Sequence, residues 1–217
     1  MIRLEDISKT FVLDGMQQTV ASGINAVFPT GVSVGLLGRN GAGKSTLLQI
    51  IAGTTKPSSG RVITDGTVSW PVGFAGSFHG DLTGAQNTRF IARVYGVDTD
   101  ALVGFVEDFA ELGHHFHQPF RSYSSGMRSR LAFGVSMGIR FDTYLVDEVT
   151  SVGDAAFRKK SEEVFSSRMQ SSGAIVVSHS MELMRRLCTM GMVLEHGGLI
   201  VFDTIDHAIR RHLTNMA

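Results

Sequence analysis

The sequence predicts an α/β fold: a mixed sheet entered through an N-terminal antiparallel β layer and carrying a helical insert. Three observations lead there. Gly38-Arg39-Asn40-Gly41-Ala42-Gly43-Lys44-Ser45, with Thr46 behind it, joins an apolar strand at 32–37 to an apolar helix at 45–52. Two later apolar runs end in polar residues, Tyr144-Leu145-Val146-Asp147-Glu148 and Ala174-Ile175-Val176-Val177-Ser178-His179, as buried strands do when their C-terminal ends carry ligand groups. Between the first helix and those strands, residues 84–140 read mainly as helices.

The loop matches the G-x-x-x-x-G-K-[ST] pattern that cradles phosphates. Glycines allow successive backbone N–H groups to turn inward around an anion, and the helix that follows aims its positive end at the same point. Lys44 supplies a point charge for β- and γ-phosphates, and the Ser45 hydroxyl can ligate Mg²⁺.

Composition narrows the class. A chain of 217 residues with 43% hydrophobic content can bury one α/β core, and its 20 basic and 20 acidic residues cancel, which gives no bulk attraction to nucleic acid. One cysteine, Cys188, excludes an internal disulfide framework and suits a reducing compartment. The acidic start Met1-Ile2-Arg3-Leu4-Glu5-Asp6 does not read as a signal segment. The longest apolar helical run, 131–139, falls well short of the roughly 18 residues that a membrane span needs.

In order along the chain, short apolar bursts at 2–4, 20–28 and 32–37 predict the β layer and the strand before the loop. Phe11, in Ser8-Lys9-Thr10-Phe11, reads more readily as core than as a base-stacking ring. Arg61-Val62-Ile63-Thr64 and Thr67-Val68-Ser69-Trp70 flank Asp65-Gly66 and predict a hairpin. Helices are expected at 85–95, 99–112 and 124–139, with Pro119 interrupting. His114, His115 and His117 lack the acidic or thiol company of a metal site and read as a solvated helix end. Ser124, Ser125 and Gly126 could form a second anion site but read more readily as plain N-capping. Asp147 can hold Mg²⁺ through water, and Glu148 can polarise a water. Ser151-Val152-Gly153-Asp154 caps a helix at 155–170 whose Arg158-Lys159-Lys160 run reads as a solvated face. Strands at 190–194 and 199–202 and an amphipathic helix at 203–213, striped by Ile205, Ala208, Ile209 and Leu213, close the chain.

Taken in series, these motifs resemble the nucleotide-binding subunit of an ATP-binding-cassette (ABC) transporter over essentially the full length. The phosphate loop is Gly38 to Thr46, with Asn40, Gly41, Gly43, Lys44 and Ser45 inside it; the family signature, usually LSGGQ, is Tyr123-Ser124-Ser125-Gly126-Met127. Asp147-Glu148 matches the magnesium aspartate and catalytic glutamate, Ser151 to Asp154 the D-loop, His179 the switch histidine, and Phe11 the adenine-stacking aromatic. Ser125 and Met127 depart from the usual Gly and Gln, and His79 stands where the family's loop glutamine is expected, which leaves magnesium coordination by that loop open. Together with Leu82-Thr83-Gly84 and Ser69-Trp70-Pro71-Val72-Gly73, the motifs look like the capsular-polysaccharide export branch.

The resemblance implies one nucleotide-binding domain, with a core at 1–78 and 141–217 and a helical part at 79–140. It implies ATP and Mg²⁺ in a composite site between two copies, with Glu148 and His179 catalytic, Ser45 and Asp147 on the metal, and Ser124, Ser125 and Gly126 closing on the nucleotide of the other copy. It further implies a homodimer at the cytoplasmic face of the inner membrane, an integral membrane permease as partner, and periplasmic and outer-membrane export components, with no role for nucleic acid. An O-antigen or teichoic-acid exporter is a near alternative. A soluble ABC ATPase of DNA repair or translation would bring a second nucleotide domain or a basic excess, and a phosphate-loop kinase would leave Ser124 to Met127 and His179 unexplained.

Overall fold

The computed structural model describes residues 1–13, 15–73, 76, 78–147 and 154–216, the side chain of Leu13 excepted. The chain divides into two compact units: Met1–Pro71 with Phe141–Glu148 and Met169–Ala217, and Val72–Arg140 with Val149–Arg168. The first unit opens with β1 (Ile2–Leu13), β2 (Met16–Phe28) and β3 (Ser33–Leu37), then α1 (Lys44–Ile51), β4 (Ser59–Thr64) and β5 (Val68–Pro71). The second supplies α2 (Gly84–Tyr95), α3 (Thr99–Ala110) and α4 (Ser125–Gly138). After β6 (Thr143–Asp147) of the first unit, α5 (Ala155–Met169) belongs to the second as far as Arg168. The first unit then closes with β7 (Gly173–Val177), α6 (Met181–Leu187), β8 (Met190–Glu195), β9 (Gly198–Phe202) and α7 (Ile205–Met216).

In the first unit β2-β1-β4 form an antiparallel sheet, and β5-β6-β7-β3-β8-β9 form a six-stranded sheet that is parallel except for β9. The apolar runs predicted as buried strands are β3, β6 and β7, and their interior residues have almost no exposure. One core holds both sheets and α1, with Ile2, Leu4 and Ile7 of β1 and Ile24 and Phe28 of β2 packed with Leu36, Leu47, Leu48 and Ile175. Because β3, β6 and β7 run parallel, with Gly35 beside Val176 and Asp147 beside Val177, their C-terminal ends share one edge. That edge carries the phosphate loop, Asp147 and His179.

The hairpin expected at 61–70 does not form. β4 pairs with β1, whereas β5 lies parallel to β6 in the other sheet. The carboxylate of Asp142 accepts hydrogen bonds from the Thr67 backbone N–H at 2.7 Å and its hydroxyl at 2.8 Å, drawing the chain toward β6. Two β-prone runs around Asp-Gly specify a turn and leave the choice of partner to tertiary structure. In α7, Ile205, Ala208 and Ile209 are buried as the stripe required, but Leu213 is exposed.

The seat of α7 is a notch in the sheet. Gly35 of β3 and Gly191 of β8 are direct register partners. A Cβ at Gly35 would lie 2.6 Å from Ile205 Cδ1 and 2.7 Å from Met184 Cε, and one at Gly191 would collide with Ala208. Two side-by-side glycines therefore let α6 and α7 press onto bare backbone.

The second unit packs α3, α4 and α5 around Phe109, whose ring meets Phe105, Phe133 and Phe157 at centroid distances of 5.7, 5.8 and 5.2 Å. Lys160 of α5 donates to the carbonyls of Asp108 and Phe109 at the C-terminus of α3 and to the Glu111 carboxylate. The run 158–160 is thus not a uniformly solvated face, because a helix C-terminus attracts a cation. These contacts accord with the placement of α5, as far as Arg168, in this unit.

Two alanine substitutions should move stability in opposite directions. Gly191→Ala overpacks the notch and should cost about 1–3 kcal/mol. Gly104→Ala, inside α3 with open space around it, should add about 0.5–1 kcal/mol by helix propensity. Thermal unfolding of both variants checks the pair.

Candidate functional site

The site begins with a helix start that no side chain closes. α1 has Gly43 as N-cap, at φ 102°, with no side-chain cap and no acidic residue in its first turn. By contrast, α2, α3, α4 and α6 are capped by Thr83, Asp98, Ser124 and Ser180. The first N–H groups of a helix must find partners, and at α1 they face the C-terminal edge of the parallel sheet, a fit for an anion.

Gly43 is required for space as well as for its dihedral. A Cβ there would lie 2.9 Å from Val20 Cβ and 3.0 Å from the Val20 carbonyl oxygen. Val20 sits where the β1–β2 register shifts from Lys9↔Ala21 to Thr10↔Thr19, so β2 spends one extra residue and leans it on the loop. The Lys44 ammonium donates to the carbonyls of Gly38 at 2.8 Å and Arg39 at 3.0 Å, folding the loop over its own side chain.

A cavity of about 530 Å³ opens here, lined among others by Phe11, Asn40, Gly41, Lys44, Ser45 and His179. Gly43 and Thr46 also line it, so most of the expected phosphate-loop residues converge with the expected ring and histidine. Phe11 is half-buried at the cavity wall and not part of the core. Lys9 Nζ lies over one face of its ring, 4.9 Å from the centroid. Ser45 is exposed in the first turn of α1 and Asp147 ends β6; a hydroxyl and a carboxylate are the hard oxygen donors that suit Mg²⁺. Glu148 and residues 151–153 lie outside the described residues.

Gly38 lines a neighbouring cavity of about 370 Å³ that shares Asn40 and Gly41 and is walled by Glu195, His196 and His212. His212, on α7, was not among the expected site residues. Its Nδ1 is buried with no hydrogen-bond partner, and burial, followed by the positive charges of Lys44 and His179, holds its pKa below the ordinary histidine value. Glu195 across the cavity accepts from Arg211 at 3.0 Å. No local signal marks His212, which arrives at the loop only because the glycine notch seats α7.

In the second unit, Ser124 Oγ accepts from the Met127 N–H at 3.2 Å, so capping is real. Ser124 and Gly126 line a cavity of about 350 Å³ with Glu111, His115, Arg130 and Asp154, and Ser125 is exposed in the first turn of α4. Asp154 accepts from the Phe157 N–H at 2.9 Å and from Arg130 at 2.8 Å, contacts that hold its carboxyl below the usual carboxylate range. His79 is pinned by buried Asn87, which accepts its N–H at 2.8 Å and donates to the carbonyls of His79, Leu82 and Thr83. Thr83 and Gln86 close a capping box beside it; that T-x-x-Q spacing was legible in the sequence, whereas the role of Asn87 was not. His117 meets the Glu107 carboxylate at 3.0 Å and His115 meets Gln118 at 3.1 Å, and no cluster able to hold a metal ion occurs among the described residues.

The sheet, the uncapped helix and the glycine loop define a phosphate-loop α/β protein. Residues 21–151 match the ABC transporter family, and the chain belongs to that family. It is 46% identical over 200 residues to the polysialic acid transport ATP-binding protein KpsT of Escherichia coli, covering 91% of each. It is 44% identical over 209 residues to the capsule polysaccharide export ATP-binding protein CtrD of Neisseria meningitidis serogroup B, covering 96% of each. O-antigen and teichoic-acid export ATP-binding proteins also match, at lower identity. The fold is that of a dimeric ATP-binding cassette solved with ADP and Pi, at TM-score 0.77 and 20% identity over 94% of this chain and 98% of that one.

The depressed pKa of His212 sets a pH dependence. Its folded-state pKa lies below the ordinary 6.5, so the unfolded chain binds the proton more readily and stability falls as pH drops below about 6.5. Across about pH 7 to 5, His212→Gln should lose less melting temperature than the wild type. Equal losses in the two proteins would assign the effect to other groups.

Proposed function

We propose that this chain is the ATP-hydrolysing subunit that powers export of a capsular polysaccharide across the cytoplasmic membrane, acting as a homodimer on a separate membrane-spanning permease. The observation that carries the ATPase reading is the uncapped start of α1, opening with Lys44, Phe11 and His179 onto one cavity. Its assignment to capsule export rests on the near end-to-end similarity to KpsT and CtrD. No helix among the described residues is long and apolar enough to cross a membrane, so transport requires the permease, with the ATPase docked at its cytoplasmic face. Periplasmic and outer-membrane components would continue the route.

In this reading Phe11 stacks on adenine, and Gly38, Asn40, Gly41 and Gly43 shape the loop whose N–H groups receive the phosphates. Lys44 and Thr46 complete the phosphate contacts. Ser45 and Asp147 would hold Mg²⁺, which would supply charge neutralisation for the phosphates. Glu148 orients a water and takes its proton as the water oxygen attacks the γ-phosphorus. The bond to the β-γ bridging oxygen breaks, giving ADP and inorganic phosphate, and His179 donates to the γ-phosphate as its charge redistributes. Ser124, Ser125 and Gly126 of the second copy close on that phosphate, so the anion bridges two protomers until hydrolysis removes the link. The core at 1–78 and 141–217 binds nucleotide, and the helical part, about 79–140, presses on cytoplasmic loops of the permease.

Glu148→Gln should lower kcat by about 10²-fold or more while ATP affinity stays within a factor of about two; unchanged hydrolysis would remove Glu148 from its role. Tagged protein pulled from detergent-solubilised native membranes should bring a multi-span membrane protein with it, identified by mass spectrometry. Recovery of soluble partners alone would overturn the transport reading.

A further inference from the structure

We propose that the outer end of the 530 Å³ cavity is a purine-reading subsite, in which Lys9 backs Phe11 and the side-chain amide of Gln18 hydrogen-bonds the C6 edge of the base, so that ATP and GTP are both accepted. The proposal rests on the reading of Phe11 as the base-stacking ring.

Phe11 and Gln18 are direct cross-strand partners in the β1–β2 hairpin. The neighbouring pair confirms that register, because the hydroxyls of Thr10 and Thr19 lie 3.0 Å apart. Cross-strand partners project to one face with Cβ atoms about 5 Å apart, and both Phe11 and Gln18 line the cavity. Lys9, two residues before Phe11, lies on that same side of its strand. Its ammonium covers one face of the ring and donates to the Lys56 carbonyl at 2.9 Å, which anchors the cation where it sits. A base can therefore stack only on the opposite face, within reach of a glutamine standing across the hairpin.

Gln18 is exposed, and no described hydrogen bond holds its amide. It also lines the neighbouring cavity, at the lip where the two meet. A primary amide carries one acceptor and two donors. In one orientation it complements the amino group and N1 of adenine, and turned over it complements the carbonyl and N1–H of guanine. With nothing fixing the orientation, the site reads the presence of a C6 substituent and not which one it is.

Equilibrium binding of the full chain in Mg²⁺ buffer to ATP, GTP and purine riboside triphosphate, which lacks the C6 group, tests this. Wild type should bind purine riboside triphosphate about five- to tenfold more weakly than ATP, the worth of about one net hydrogen bond, with GTP close to ATP. Gln18→Ala should erase the preference by weakening ATP and GTP more than purine riboside triphosphate, which keeps only N1 for the amide to meet, and Phe11→Ala should weaken all three by a common factor. A preference that survives in Gln18→Ala, or rejection of GTP by the wild type, would overturn the subsite. Binding unaffected by Phe11→Ala would show that the stacking reading itself had failed and would take the subsite with it.

Discussion

The unsatisfied backbone N–H groups at the start of α1 are the constraint around which the first unit is arranged. A capping side chain would have satisfied them locally, as Thr83, Asp98, Ser124 and Ser180 do elsewhere. Gly43 instead leaves them open, and the parallel neighbours of β3 bring Asp147 and His179 to the same edge. The loop is kept in shape from its own side by Lys44 on the carbonyls of Gly38 and Arg39, and from outside by Val20. An anion-receptive helix start of this kind binds through backbone geometry, so the shape of the loop matters more than the identity of residues such as Arg39 and Ala42.

The N-terminal sheet is part of the site and not only its support. The register shift that places Val20 against Gly43 occurs in the same hairpin that presents Lys9, Phe11 and Gln18 to the cavity. On the far side of the loop, the paired glycines of β3 and β8 bring α7 close enough for His212 to feel the charge of Lys44. The loop is therefore a wall between two cavities, contacted by the first strands of the chain on one side and by its last helix on the other.

What could be read in the sequence was whatever is written locally. The phosphate loop, the buried strands that lead to Asp147 and His179, and the helices of the second unit all follow from short-range pattern. What could not be read depends on a partner distant in the chain. Asp142, some 75 residues after Thr67, turns an apparent hairpin into strands of two sheets. Phe11, apart from the family resemblance, looks like an ordinary core residue until the phosphate loop shares a cavity with it, and Lys160 looks solvated until the end of α3 is placed beside it. Asn87 and His212 carry no sequence signal because their roles consist entirely of what tertiary structure sets against them.

The position of β3 in its sheet has a consequence for how the chain matures on the ribosome. β3 lies between β7 and β8, so the strand that carries the phosphate loop emerges early yet finds its two neighbours only after residues 173–195 have been made. A nascent chain exposes the loop motif long before it has a sheet to hold it, and pairing over such separations is slow because loop closure comes first. The sheet edge that presents the loop is thus complete only once both β7 and β8 have been made.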